Sequence, residues 1–141
     1  MKKLILLITL LISAGILYAD TISYCHIYYN KIKIRETNET EKTEVITLNH
    51  TRIKKADRII IKYFYDTPSS DCQTQVIIKN KKQNIISSGK NKGTFNPIDV
   101  PVFPLLQNYL RTGEVAYDVY YFDKDKHRNE IKELIFKIII K

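Results

Sequence analysis

The chain has no tryptophan, four glycines, four prolines and two cysteines in 141 residues. So little glycine and proline excludes a collagen-like repeat and a linker-like composition. No apolar run reaches the roughly 20 residues that a membrane-spanning helix needs. The longest, Leu4 to Tyr18, is about 15 residues. No Gly-x-Ser-x-Gly nucleophile elbow occurs, and no internal repeat or linker divides the chain beyond residue 20. What is present is a hydrophobic fraction of 44% and a charged fraction of 27%, which excludes a long disordered chain.

The apolar run follows Met1, Lys2 and Lys3, a positive amino-terminal region, and ends near the small residue Ala19. This is the order of an export signal, so residues 1–19 are expected to be a cleaved signal peptide. Residues 20–141 are then a single β-sandwich domain, periplasmic or secreted, with no transmembrane span. A lipoprotein signal would place a cysteine directly after the apolar run, whereas Cys25 lies beyond Asp20 and Thr21. The formal charge of +8 falls to +6 once Lys2 and Lys3 leave, with 21 basic residues against 15 acidic ones. Such a surface favours polyanions, anionic surfaces or acidic partners. A composition rich in Lys, Ile and Asn also follows from an AT-rich genome, which leaves a second origin for the charge.

Cys25 and Cys72 are the two cysteines of that domain. In an oxidising compartment they are a disulfide candidate, closing a loop of about 48 residues worth on the order of 4 kcal/mol. Two separate buried thiols are the alternative. A catalytic thiol is not favoured, because His26 adjoins Cys25 and neighbouring strand residues point to opposite faces.

Alternation with period two dominates the rest of the chain. From residue 22 the even positions carry Ile22, Tyr24, His26 and Tyr28, then Asn30, Ile32 and Ile34. This is one long strand or two joined at Asn30. Glu36 to Glu44 reads as a loop, Val45 to Leu48 as a short strand, and Arg58 to Tyr65 as a central strand covered on both faces. Asp66 to Asp71 is a turn, Gln73 to Lys79 a strand, and Asn80 to Gly93 a hairpin with a short strand at Ile85 and Ile86. Phe95 to Phe103, broken by Pro97 and Pro101, suits an edge strand. Pro104 to Leu110 predicts one or two helical turns ending before Gly113. Val115 to Phe122 and Ile131 to Ile140 close the chain around a polar turn. The count predicts an all-β, antiparallel sandwich of seven or eight strands with one short helical turn near 104–110.

Leu110, Gly113, Tyr117 and Val119 lead into the penultimate strand in an order that resembles fibronectin type III and related immunoglobulin-like sandwiches. There a corner tyrosine closes a turn before that strand. The resemblance covers about ten residues and implies an immunoglobulin-like fold; it transfers no function.

Few side chains suggest chemistry. Asp123, Asp125, His127 and Asn129 imitate calcium-loop spacing, but Arg128 stands where such a loop needs glycine and Leu134 where it needs glutamate. His26, His50 and His127 belong to three different elements, so no metal site and no cofactor is expected. Ser69 and Ser70 between Asp66 and Asp71 read as a turn. Lys79, Lys81, Lys82, Lys90 and Lys92 fall in a stretch free of acids and are binding candidates for sulfate, phosphate or an acidic partner. Tyr28, Tyr63 and Tyr65 are the candidates for a tyrosine-bearing recognition face. The sequons at Asn38 and Asn49 matter only in a source that glycosylates.

The sequence thus predicts an exported, non-enzymatic β-sandwich that binds a protein or an anionic glycan or lipid surface at the cell envelope. Nucleic acid is not an expected partner there. A small secreted enzyme or metal-binding protein is the first alternative. The second is a structural accessory subunit whose last strand completes another protein's sheet.

Overall fold

The computed structural model of the protein describes residues 23–38, 44–64, 69–124 and 131–141. The expected signal segment, Tyr65, the Asp66 to Pro68 part of the turn, and residues 125–130, including His127, lie outside them. Among the described residues the fold is all-β, with nine strands in two facing sheets, one helix and one 3-10 turn. The first sheet has the order β2 (Ile32–Asn38), β1 (Tyr24–Tyr29), β4 (Arg58–Phe64), β7 (Ile98–Pro101). The second has the order β3 (Val45–Leu48), β9 (Ile131–Ile140), β8 (Ala116–Lys124), β5 (Gln73–Lys79), β6 (Ile85–Lys92). No described helix is long and apolar enough to cross a membrane.

Strand alternation builds the core directly. Ile27, Ile59, Ile61, Val76, Ile78, Ile98, Val119, Phe136 and Ile138 are almost wholly buried between the sheets. On β1 the buried positions are Cys25 and Ile27, so the even-numbered aromatics Tyr24, His26 and Tyr28 stand on the outside. β4 is covered on one face, Ile59, Ile61 and Tyr63, and only half-covered on the other, which corrects the expectation of two covered faces. β1 and β2 meet at Asn30, whose φ of 56° is a conformation asparagine tolerates. Its side chain accepts a hydrogen bond from the Arg58 N–H at 2.9 Å, fastening the turn to the start of β4.

Pairing is antiparallel except between β3 and β9, which run parallel. β9 therefore lies between β3 and β8 with both of its edges hydrogen-bonded. On its far edge β9 pairs with β3 over Lys137–Ile140 only, the last four residues of the strand. On the opposite flank the sandwich is drawn shut by β6 and β7. A Cβ on Gly89 would sit 2.1 Å from the Asp99 carbonyl oxygen, and the Ser87 hydroxyl donates to the Pro101 carbonyl at 2.7 Å.

The helix α1 spans Phe103–Thr112, longer than expected from the apolar pattern. Pro104 opens it, and Gly113 ends it in the left-handed region (φ 71°) with its N–H on the Tyr109 carbonyl at 2.8 Å. Leu105 and Leu106 face the core, whereas Leu110 is 69% exposed. The Tyr117 hydroxyl lies 2.8 Å from the Glu114 carbonyl oxygen and 3.2 Å from that of Leu105, and it accepts from the Asn108 amide at 3.1 Å. One buried phenol thus ties the helix, the following corner and β8 together.

A candidate anionic-ligand face on the five-stranded sheet

The register of the five-stranded sheet sets the outward side chains in rows. One row reads Lys92, Gln73, Lys124 across β6, β5 and β8. The next reads Lys90, Gln75, Phe122, Lys132 and extends onto β9. Together Gln73, Gln75, Lys90, Lys92, Phe122 and Lys124 line an open groove of about 560 Å³. That volume is in the range of ligand-binding clefts.

Beside the groove, Lys132 stands over the rings of Tyr120 (5.1 Å to the centroid) and Phe122 (5.9 Å), and Lys79 over Tyr120 from the other side (5.5 Å). These cation–π contacts hold ammonium groups against ring faces. Six lysines, Lys79, Lys90, Lys92, Lys124, Lys132 and Lys137, thus mark this sheet. Two of them have carboxylate partners among the described residues: Lys92 with Asp71 at 3.5 Å and Lys137 with Asp118 at 3.7 Å. Lys92 and Asp71 are both well exposed, so their attraction is weak.

Of the five lysines singled out in the sequence, Lys79, Lys90 and Lys92 belong to this face. Lys81 and Lys82 sit at the far tip of the β5–β6 hairpin, beside Arg111 and Glu114 of a separate groove of about 550 Å³. The Lys81 backbone N–H donates to the Glu114 carboxylate at 2.8 Å. Lys124, Lys132, Phe122, Gln73 and Gln75 escaped the sequence reading. Their only local signal is alternation along β5 and β8, because the lysines on β8 and β9 join the hairpin lysines through pairing that the sequence does not display.

The proposed tyrosine face divides. Tyr28 is on the outside of the four-stranded sheet under Lys62 (5.6 Å), whereas Tyr63 is 7% exposed and points inward. Tyr63 stacks on Tyr121 at 4.3 Å and donates its hydroxyl to the Glu133 carboxylate. A buried ring cannot meet a ligand at the surface, so Tyr63 leaves the set of binding candidates. The outside of that sheet carries instead a row of stacked rings, Tyr24 on Phe64 (4.6 Å) and Phe64 on Phe95 (5.3 Å), with His26 against Phe64 at 5.0 Å. His26 also meets Glu36 at 3.0 Å.

Cys25 and Cys72 are free thiols, both buried, so the expected bridge is not formed here. Cys25 lies on the inner face of the four-stranded sheet and Cys72 just before β5 of the other. Burial raises the pKa of the Tyr121 phenol, with Cys72, Tyr63 and Cys25 as lesser causes. The Cys25 thiol is itself pushed up to about 12 by burial, with the Glu133 carboxylate as a lesser cause. Such a thiol is a poor nucleophile at neutral pH.

Ser69 is part of the scaffold. Its carbonyl accepts from the Thr94 N–H at 2.9 Å and its N–H donates to the Thr94 hydroxyl at 2.9 Å. His50 has Nδ1 2.6 Å from the Lys141 carbonyl oxygen and its ring on Tyr109 at 5.3 Å. Among the described residues no three His, Cys, Asp or Glu side chains converge on a common point. No protein-family model, curated protein or solved structure matches the chain.

Proposed function

We propose that the protein is an exported, non-enzymatic β-sandwich that binds an anionic macromolecular surface at the cell envelope through the outer face of its five-stranded sheet. The observation that carries this reading is the convergence of Lys90, Lys92 and Lys124 with Phe122 in one groove, flanked by Lys79 and Lys132 on aromatic rings. Cations brought together on one face raise the local concentration of anions and speed their capture. The signal-like first 19 residues support export and so disfavour nucleic acid as the target. Kinship with immunoglobulin-like sandwiches belongs to the same proposal, supported by the way the Tyr117 hydroxyl reaches back to the Glu114 carbonyl.

The test is capture of envelope extract on the immobilised protein, with elution by rising salt. Lys90→Glu with Lys124→Glu is expected to abolish capture, while Lys81→Glu with Lys82→Glu at the hairpin tip leaves it intact. Equal capture by both double variants contradicts the proposal.

A further inference from the structure

We infer that the groove on the five-stranded sheet takes an anionic saccharide, a sugar chain bearing sulfate or carboxylate groups, rather than a bare phosphate chain or a lipid headgroup surface. The inference rests on the proposed reading of this face and adds the class of ligand.

The groove is a trough one strand wide. β5 forms its floor, with Gln73 and Gln75; β6 forms one wall, with Lys90 and Lys92; β8 forms the other, with Phe122 and Lys124. β6 and β8 flank β5, so the walls are two strand spacings apart, about 10 Å, and successive rows along the strands are about 7 Å apart.

Each component selects part of the ligand. The lysines require anionic groups on both sides of the trough. The two glutamine side chains line the floor of the groove, and each offers both donors and an acceptor. Phosphate or sulfate oxygens only accept, so they can meet the amide N–H groups but not the carbonyl oxygens. Sugar hydroxyls do both. Phe122 adds an apolar ring with no polar tip, a surface for the C–H face of a pyranose and of no use to a phosphate chain. These groups line a concavity, whereas a bilayer presents a flat surface.

Asp71 stands at the rim, 3.5 Å from Lys92. An arriving anion competes with it for that ammonium group. Asp71→Asn is therefore expected to tighten saccharide binding about twofold, the scale of an exposed ion pair.

The experiment is calorimetric titration of the purified full chain with four probes: a short sulfated oligosaccharide, its desulfated counterpart, polyphosphate of equal charge, and phosphatidylglycerol vesicles. The sulfated sugar is expected to bind about tenfold tighter than any other probe, the scale of one or two added hydrogen bonds. Gln73→Ala with Gln75→Ala is expected to remove that advantage and leave polyphosphate binding and the far-ultraviolet circular dichroism unchanged. Lys90→Gln is expected to weaken the sulfated sugar and polyphosphate alike. Polyphosphate or vesicles binding as tightly as the sulfated sugar, with the glutamine double variant neutral, overturns the saccharide inference and leaves the anionic face standing. Binding of none of the anionic probes overturns both.

Discussion

The salt dependence of binding is set by how many of the sheet's lysines are free to meet an anion. Of the six, Lys92 and Lys137 face carboxylates, which leaves Lys79, Lys90, Lys124 and Lys132 without one among the described residues. A flexible polyanion releases counterions in proportion to the charges it has neutralised, with a slope of about 0.7 in log affinity against log salt per charge. Four charges give a slope of about −2.8, so raising salt fourfold, from about 50 to 200 mM, should weaken binding about fiftyfold. Each Lys→Gln change among the four is expected to make the slope shallower by about 0.7 and to cost little once salt is high. Lys81→Gln and Lys82→Gln, at the hairpin tip, are expected to leave the slope unchanged. The assay is titration of a sulfated polysaccharide at several salt concentrations, followed by fluorescence anisotropy. A slope near zero, or one that responds to Lys81 and Lys82 instead, refutes the reasoning.

Other expectations concern the scaffold and its thiols. Asp57 is buried and accepts hydrogen bonds from the Tyr29 hydroxyl, the Lys54 N–H at 2.8 Å and the Asn30 amide at 3.3 Å. Burial raises its pKa, but these bonds together with the Lys54 charge outweigh that and hold the carboxyl below its usual value. A lowered folded pKa stabilises the fold above the unfolded value of about 3.9 and loses that effect as pH falls through the folded one. Asp57→Asn should therefore cost about 1–2 kcal/mol at neutral pH in urea unfolding, with the gap to the parent closing below about pH 4; a pH-independent gap contradicts this.

Gly89→Ala drives a methyl group into the Asp99 carbonyl and is expected to cost about 3 kcal/mol, read as a lower thermal midpoint. Tyr117→Phe removes the hydroxyl that joins Glu114, Leu105 and Asn108, for an expected loss of about 2 kcal/mol; an unchanged midpoint would show that corner to be dispensable. Reduced protein should resist alkylation at Cys25 and Cys72 until unfolded, because both are buried. Intact mass is expected to be the same with and without reductant, as two free thiols require, and a mass lower by two hydrogens before reduction contradicts this.

Strand alternation made much of the sandwich legible. β5 and β8 bury every second residue, β9 breaks step where Ile135 and Phe136 are both buried, and β4 differs from expectation in having one covered face. β6 did not announce itself beyond Ile85 and Ile86. Its continuation, Ser87 to Lys92, is polar because one side is solvated and the other is pressed against β7, where glycine and serine fit and larger residues do not. The helix ran past Leu110 because Gly113, not the last apolar residue, fixes its end. Parallel pairing of β3 with β9 joins segments about 90 residues apart and leaves no local trace.

The candidate site was legible to the same degree. Lys79, Lys90 and Lys92 alternate within one hairpin and could be read together. Lys124 and Lys132 reach the same face only through the β5–β8 and β8–β9 registers. Tyr63 was misassigned because alternation gives two faces without saying which is wet.

The central claim is that one particular sheet face meets the ligand, and amide chemical-shift mapping tests it most directly. Titrating isotopically labelled protein with a sulfated oligosaccharide is predicted to move the signals of residues 73–79, 88–92 and 120–124, together with Lys132. Those of Tyr24 to Tyr28 and Ile60 to Phe64, on the opposite sheet, should stay in place. Shifts confined to the aromatic row of Tyr24, His26 and Phe64, or to the hairpin tip at Lys81 and Lys82, would contradict the account.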